Sequence, residues 1–157
     1  MNIIISPAKK MNVNNDDLVN EYKPVFMDKT NILYDKLKSL SYDELKKLLS
    51  CNDDIAELNY DRYKYMDLAR NLSPAILTYE GIQYKYMSPD SFSEGEFDYV
   101  KSHLKILSGF YGVLNPFDGV VPYRLEMQAK LKVDDKKNLY EFWGDSLYNE
   151  LRKESNV

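Results

Sequence analysis

The stretch Leu107-Ser108-Gly109-Phe110-Tyr111-Gly112-Val113-Leu114-Asn115-Pro116-Phe117-Asp118-Gly119-Val120-Val121-Pro122-Tyr123-Arg124-Leu125-Glu126-Met127 decides how the rest of the chain is read. It concentrates three of the six glycines and two of the six prolines among large apolar groups, so it reads as tightly folded backbone and not as a slack linker. Its second part alternates strictly. Val121, Tyr123, Leu125 and Met127 fall on one strand face, and Arg124 and Glu126 on the other. Upstream, Ser93-Glu94-Gly95-Glu96 is a capping box, and Phe97, Val100, Leu104 and Leu107 continue it as a helical stripe, with Gly109 placed as a left-handed cap. The stretch is thus a helix-to-strand joint.

Working outward, Ile3-Ile4-Ile5 is a short β-branched run of the buried-strand kind, ending at Ser6-Pro7-Ala8-Lys9. Lys10 to Lys29, with Asn14-Asn15-Asp16-Asp17 at its centre, is polar and reads as mostly surface loop. Three short helical patterns follow over residues 30–70. They are marked by Ile32, Leu33, Leu37 and Leu40, by the Ser41/Glu44 capping box with Leu45, Leu48 and Leu49, and by an Asn52 cap ahead of Ile55 and Leu58. Short helices joined by two or three residues pack as hairpins. Ala75–Tyr79 reads as a buried strand, and Ile82, Tyr84 and Tyr86 alternate as a half-exposed one. A last helix starts at Asn138 and carries Phe142, Trp143, Leu147 and Leu151. The expected fold is α+β (mixed α/β), one domain over residues 1–157, with a small sheet flanked by helices.

Composition narrows the function classes. No run approaches the roughly 20 apolar residues of a membrane span, and the N-terminus lacks the basic lead and long apolar core of a secretory signal. The lone Cys51 and lone His103 supply neither an internal disulfide nor a metal cluster; together these features fit the cytoplasm. No Glu-x-x-His pair and no phosphate-cradling glycine loop is found, so no cofactor is indicated. A net charge of −4 opposes nonspecific nucleic-acid attraction over the whole surface, leaving only local basic patches: Lys9 and Lys10, Lys36 and Lys38, Lys46 and Lys47, Arg62 and Lys64. Fourteen tyrosines suit a tyrosine-rich core better than a set of base-stacking platforms.

Two spots carry chemistry-bearing types. Ser6 and Lys9 follow a strand, where open sheets bind ligands, and could share an oxyanion; a plain strand-to-loop turn is the structural alternative. The planar fork of Arg124 suits phosphate or carboxylate, while a salt bridge with Glu126 on an outer sheet face is its alternative. Trp143 reads as core, Gly144 beside it as a close backbone approach, and Asp145 as a cap or an answer to Arg124.

Four blocks in order are Ile5-Ser6-Pro7-Ala8-Lys9, Leu107-Ser108-Gly109-Phe110-Tyr111-Gly112-Val113-Leu114, Pro122-Tyr123-Arg124-Leu125-Glu126-Met127 and Leu139-Tyr140-Glu141-Phe142-Trp143-Gly144-Asp145. Together they resemble the signature blocks of the peroxide-stress YaaA family. The resemblance implies a cytoplasmic, bacterial-type protein that responds to hydrogen peroxide, limits iron-driven DNA damage and binds double-stranded DNA in a positively charged cleft beside a helix-hairpin-helix-like element. It points to Ser6, Lys9, Tyr111, Arg124, Glu126 and Trp143 as shared cleft residues, and carries no catalytic assignment. For nucleic acid, the candidates are Lys9, Lys10, Lys46, Lys47, Arg62 and Lys64. The rival is an enzyme or small-ligand protein acting on a phosphate- or carboxylate-bearing substrate at Ser6, Lys9, Arg124 and Glu126. Two departures from the family pattern stand out. The family continues past the Trp-Gly-Asp helix into basic segments, so this chain reads as a shortened form with an apolar face open to self-association. Ser50-Cys51-Asn52 also lacks the glycine that a helix-hairpin-helix turn usually has.

Overall fold

A computed structural model describes residues 1–13 and 22–154; Asn14–Asp17, read above as loop, lie outside the described residues. Strands β1 (Ile3–Ile5) and β2 (Lys10–Met11) open the chain, and helices α1 (Met27–Ser39), α2 (Tyr42–Leu49) and α3 (Asp53–Tyr65) follow. Next come β3 (Ser73–Pro74), α4 (Ala75–Thr78), β4 (Tyr79–Glu80), α5 (Ile82–Met87), a 3-10 turn at Pro89–Ser91, and α6 (Glu94–His103). Strands β5 (Leu104–Ser108), β6 (Gly112–Leu114) and β7 (Gly119–Val120) precede α7 (Leu139–Trp143) and α8 (Ser146–Glu154). This is the mixed α+β fold that the residue patterns indicate.

The main sheet has the order β1-β5-β6. β1 is parallel to β5, with Ile3 opposite Leu104, and β5 is antiparallel to β6, with Ile106 opposite Leu114. β5 is the central strand, bonded on both sides, and it is buried nearly throughout, Lys105 and Ser108 included. β1 is an edge: Ile3 and Ile4 are exposed, contrary to the expectation of a buried strand. Two antiparallel pairs, β2 with β4 and β3 with β7, form separate two-stranded sheets. The helical hairpin forms as its caps direct. Glu44 N–H donates to the Ser41 hydroxyl (3.2 Å), the Ser41 N–H to the Glu44 carboxylate (2.9 Å), and Ile55 N–H to Asn52 Oδ1 (3.0 Å). Ser50 takes the left-handed turn position (φ 50°) that a glycine would fill without strain.

Four local expectations are corrected. Ala75–Thr78 is a helical turn, not a strand, because tertiary partners capture its backbone: Ala75 and Ile76 N–H donate to the Asp118 and Pro116 carbonyls, and the Thr78 hydroxyl to the Pro74 carbonyl. Residues Ile82–Met87 are helical, not a strand; only Tyr84 of the alternating set finds a core position, leaving Ile82 and Tyr86 exposed. The stripe from Phe97 to Leu107 is two elements, because helix spacing and the start of the buried run of β5 coincide at Leu104. Gly109 therefore caps no helix. It is glycine because a Cβ there would lie 2.7 Å from the Leu125 carbonyl oxygen and 3.1 Å from the backbone of Glu126 and Met127.

Beyond β7, the burial of the segment 121–126 alternates as read, but among the described residues it joins no ladder and is not a strand. Side chains satisfy its backbone instead. The Val121 N–H donates to the Tyr111 hydroxyl (3.0 Å), and the Arg124 N–H to the Tyr63 hydroxyl (3.3 Å), which in turn donates to the Arg124 carbonyl (2.7 Å). The Tyr123 hydroxyl oxygen lies 2.5 Å from both the Tyr79 hydroxyl oxygen and Ser108 Oγ. Burial pushes the Tyr63, Tyr79 and Tyr111 hydroxyls up, so they remain neutral donors and acceptors at physiological pH. Gly144 ends α7 at φ +50°, and a Cβ there would make only ordinary contact with Glu141; this corrects the expected close backbone approach.

Asp118 is buried in the turn joining β6 to β7. Its Oδ2 accepts the Asn115 N–H (2.8 Å), and its Oδ1 has no partner among the described residues. Desolvation pushes its carboxyl up to about 7, against the pull of the Asn115 N–H and of Lys105. The unfolded chain ionises this group near 3.8, so between about pH 4 and pH 7 the unfolded state has lost a proton that the native state keeps. Stability therefore falls as pH rises through that window and levels off above it, by at most about 4 kcal/mol. Asp118→Asn is expected to flatten this slope; urea midpoints at pH 5 and pH 7.5 that keep the parent's spacing would refute the assignment. Gly109→Ala is expected to lower stability by about 1–3 kcal/mol through overpacking against Leu125–Met127, measured as a lower urea midpoint at unchanged m-value.

Candidate functional site

The Glu126 carboxylate gathers two cations. Its Oε1 lies 3.3 Å from Arg124 Nη2 and 3.7 Å from Lys9 Nζ. Lys9 arrives from the turn after β1, and Arg124 from the segment pinned by Tyr63. Glu126 is set by the backbone that crowds Gly109, whose carbonyl accepts the Trp143 indole N–H (3.0 Å). Arg124 is the most enclosed of the three, with its side chain 14% exposed against 34% for Glu126 and 69% for Lys9. Its Nε is buried and has no hydrogen-bond partner among the described residues. The Lys9–Glu126 pair is open to solvent and contributes about 1 kcal/mol or less, whereas the guanidinium of Arg124 is largely enclosed.

The six residues expected in a shared cleft separate into three that meet, two that are buried scaffold, and Ser6. Lys9, Arg124 and Glu126 converge. Tyr111 and Trp143 are buried scaffold: Tyr111 holds Val121, and Trp143 packs edge-on against Phe26 (5.5 Å) and Phe142 (5.3 Å). Ser6 is exposed, and its engaged group is the carbonyl, which accepts the Tyr84 hydroxyl proton (2.8 Å). Asp145 starts α8, its carbonyl accepting the Asn149 N–H; no bond links it to Arg124 among the described residues.

Glu126 also lines a cleft of about 740 Å³ between α1, α2 and residues 126–132. Lys36, Lys47, Lys130 and Lys132 line it, against the two carboxylates Glu44 and Glu126. The Ser41 backbone N–H and hydroxyl hold the Glu44 carboxyl below its ordinary range, so Glu44 stays charged. Lys130 and Lys132 were not among the expected nucleic-acid contacts. Their signal was the alternation Lys130-Leu131-Lys132-Val133, in which Leu131 and Val133 are buried and the lysines turn out.

Of the six basic residues expected to meet nucleic acid, Lys47 alone lines this cleft. Lys9 is drawn to Glu126, Lys10 lies 3.4 Å from Glu80, and Lys46 lies 2.8 Å from Asp53. Arg62 is half-buried and donates to the Met11 carbonyl (3.0 Å), and Lys64 lies over the Tyr65 ring. The first turn of α3 carries Asp53 and Asp54, so its N-terminus already holds negative charge. Among the described residues no three His, Cys, Asp or Glu side chains are grouped to hold a metal ion, and no helix is long and apolar enough to cross a membrane.

Comparison with known proteins agrees with the four sequence blocks. The family model for peroxide stress protein YaaA matches residues 1–157. A UPF0246 protein of Desulfitobacterium hafniense is 61% identical over 154 residues, covering 98% of this chain and 61% of the relative. A UPF0246 protein of Agathobacter rectalis is 54% identical over 157 residues, covering all of this chain and 63% of the relative. One of Lachnoclostridium phytofermentans is 55% identical over 155 residues, covering 99% and 61%. The chain thus spans a little over three-fifths of the length of these relatives, and it belongs to the peroxide stress protein YaaA family.

Proposed function

We propose that the protein serves the cytoplasmic response to peroxide by binding double-stranded DNA, and that this binding helps to limit iron-driven DNA damage. The family supports the peroxide-stress part of this reading. The observation that carries the DNA part is the cleft wall formed by Lys36, Lys47, Lys130 and Lys132, a local excess of positive charge on a chain whose net charge is −4. Ammonium groups on flexible stems suit phosphate oxygens along a backbone and carry little base readout, so the binding is indifferent to sequence. The phosphate contacts lie in the cleft and not at the N-terminus of α3, where Asp53 and Asp54 repel an anion.

With three or four phosphates neutralised, affinity for a duplex should fall about 40- to 150-fold between 50 and 200 mM salt. A gel-shift titration across that range tests this. The double variant Lys130→Gln with Lys132→Gln should weaken binding and reduce the slope of log affinity against log salt by about two. Lys46→Gln, outside the cleft, should leave both unchanged. Absence of binding at low salt, in this chain and in a full-length relative, would falsify the reading.

A further inference from the structure

The Lys9–Arg124–Glu126 cluster has a feature that an ordinary surface ion pair lacks. Two cations converge on a single carboxylate oxygen at 3.3 and 3.7 Å, both longer than the roughly 2.7–2.9 Å of a good charge-assisted bond. The other donor on the inner edge of the guanidinium, Nε–H, is buried without an acceptor among the described residues. Glu126 therefore balances only half of the positive charge and leaves the fork of Arg124 partly unmade. The fork itself is held in place. Tyr63 engages both the N–H and the carbonyl of Arg124, and the crowding at Gly109 fixes the backbone of residues 125–127. Lys9, 69% exposed, is free to adjust.

We propose that Arg124 and Lys9 form a binding site for a phosphate monoester, which Glu126 occupies as an internal stand-in when no ligand is present. A tetrahedral phosphate dianion brings three oxygens to one place, enough for Nε, Nη2 and the Lys9 ammonium together. It also carries the two negative charges that the two cations call for. Glu126 lines the cleft wall, so its carboxylate can turn into that space as the ligand enters. The same reasoning excludes weaker anions. A free carboxylate, or a phosphodiester inside a DNA backbone, carries one charge, as Glu126 does, and competes against a tethered group at high effective concentration. The site is therefore distinct from the lysine wall proposed for DNA backbone and stands whether or not that cleft holds a duplex. The monoester comes either from a free phosphorylated molecule or from a terminal phosphate on a DNA strand, since the two present the same group.

Thermal unfolding in inorganic phosphate, against chloride at matched ionic strength, reads the site directly. Phosphate should raise the melting temperature of the parent, and Glu126→Gln should lower the half-saturating phosphate concentration about tenfold by removing the internal competitor. Arg124→Lys should lose the response, because an ammonium lacks the fork. Lys9 is exposed, so Lys9→Gln should leave the melting temperature without phosphate unchanged while weakening the phosphate response several-fold. That variant keeps the test valid even where Arg124→Lys fails to fold. Equal phosphate responses in the parent, Glu126→Gln and Lys9→Gln overturn the proposal. Competition by a duplex with 5′-phosphate ends, and none by the same duplex with 5′-hydroxyl ends, assigns the site to strand termini; displacement by neither assigns it to free phosphorylated molecules. Lys130→Gln with Lys132→Gln should keep the full phosphate response, which separates failure of this site from failure of the DNA cleft.

Discussion

The structure depends on how it satisfies a buried backbone that has no strand beside it. Residues 121–126 bury every other side chain yet join no ladder among the described residues, so their backbone polar groups need other partners. Tyrosine hydroxyls take the place of the missing strand. Tyr111 serves Val121, and Tyr63 serves both backbone groups of Arg124, while the Tyr123 ring is held by Tyr79 and Ser108. Each of these tyrosines also fills core volume, and Phe110 packs against Tyr63, Tyr111 and Tyr123. The abundance of tyrosine is thus a structural device in which one side chain supplies both packing and a polar end.

That arrangement connects the scaffold to the candidate sites. The hydroxyl that pins Arg124 belongs to α3, the indole that holds Gly109 belongs to α7, and the lysine that reaches Glu126 follows β1. The lysine wall of the cleft is built differently. Lys36 and Lys47 come from α1 and α2, and Lys130 and Lys132 from a loop whose alternate residues Leu131 and Val133 are anchored in the core. A rigid guanidinium and a row of mobile ammonium groups therefore meet at Glu126, with different capacities for anions.

Much of this was legible in the sequence wherever a signal is local. Capping boxes at Ser41 and Ser93 and the Asn52 cap mark helix starts that the structure keeps, because the capping bonds lie within four residues. The alternation around Arg124 and Glu126 set their shared direction correctly. What the sequence left hidden depended on distant partners. Ala75–Thr78 has a strand-like composition but is made helical by carbonyls from Pro116 and Asp118, and Tyr84 is drawn inward by Ser6 and Tyr79. Gly109 looked like a helix cap because its real neighbours, Leu125–Met127, lie beyond the next two strands. Three of the lysines paired in sequence, Lys9, Lys10 and Lys46, are engaged by Glu126, Glu80 and Asp53, which no linear spacing shows.

The parallel pairing of β1 with β5 also has a consequence for how the chain is made. Ile3 meets Leu104, so β1 cannot find its partner until about a hundred residues have followed it, roughly 5–20 s at ordinary elongation rates. The helical hairpin of α2 and α3 closes from local contacts within that time, while Ile3-Ile4-Ile5 stays a bare β-branched segment of the kind that pairs readily with another copy. Ser6-Pro7 directly after the run and Lys9-Lys10 beyond it act as gatekeepers, since proline and charge both interrupt strand growth. The motif that delivers Lys9 to the anion cluster thus also protects the nascent chain from aggregation.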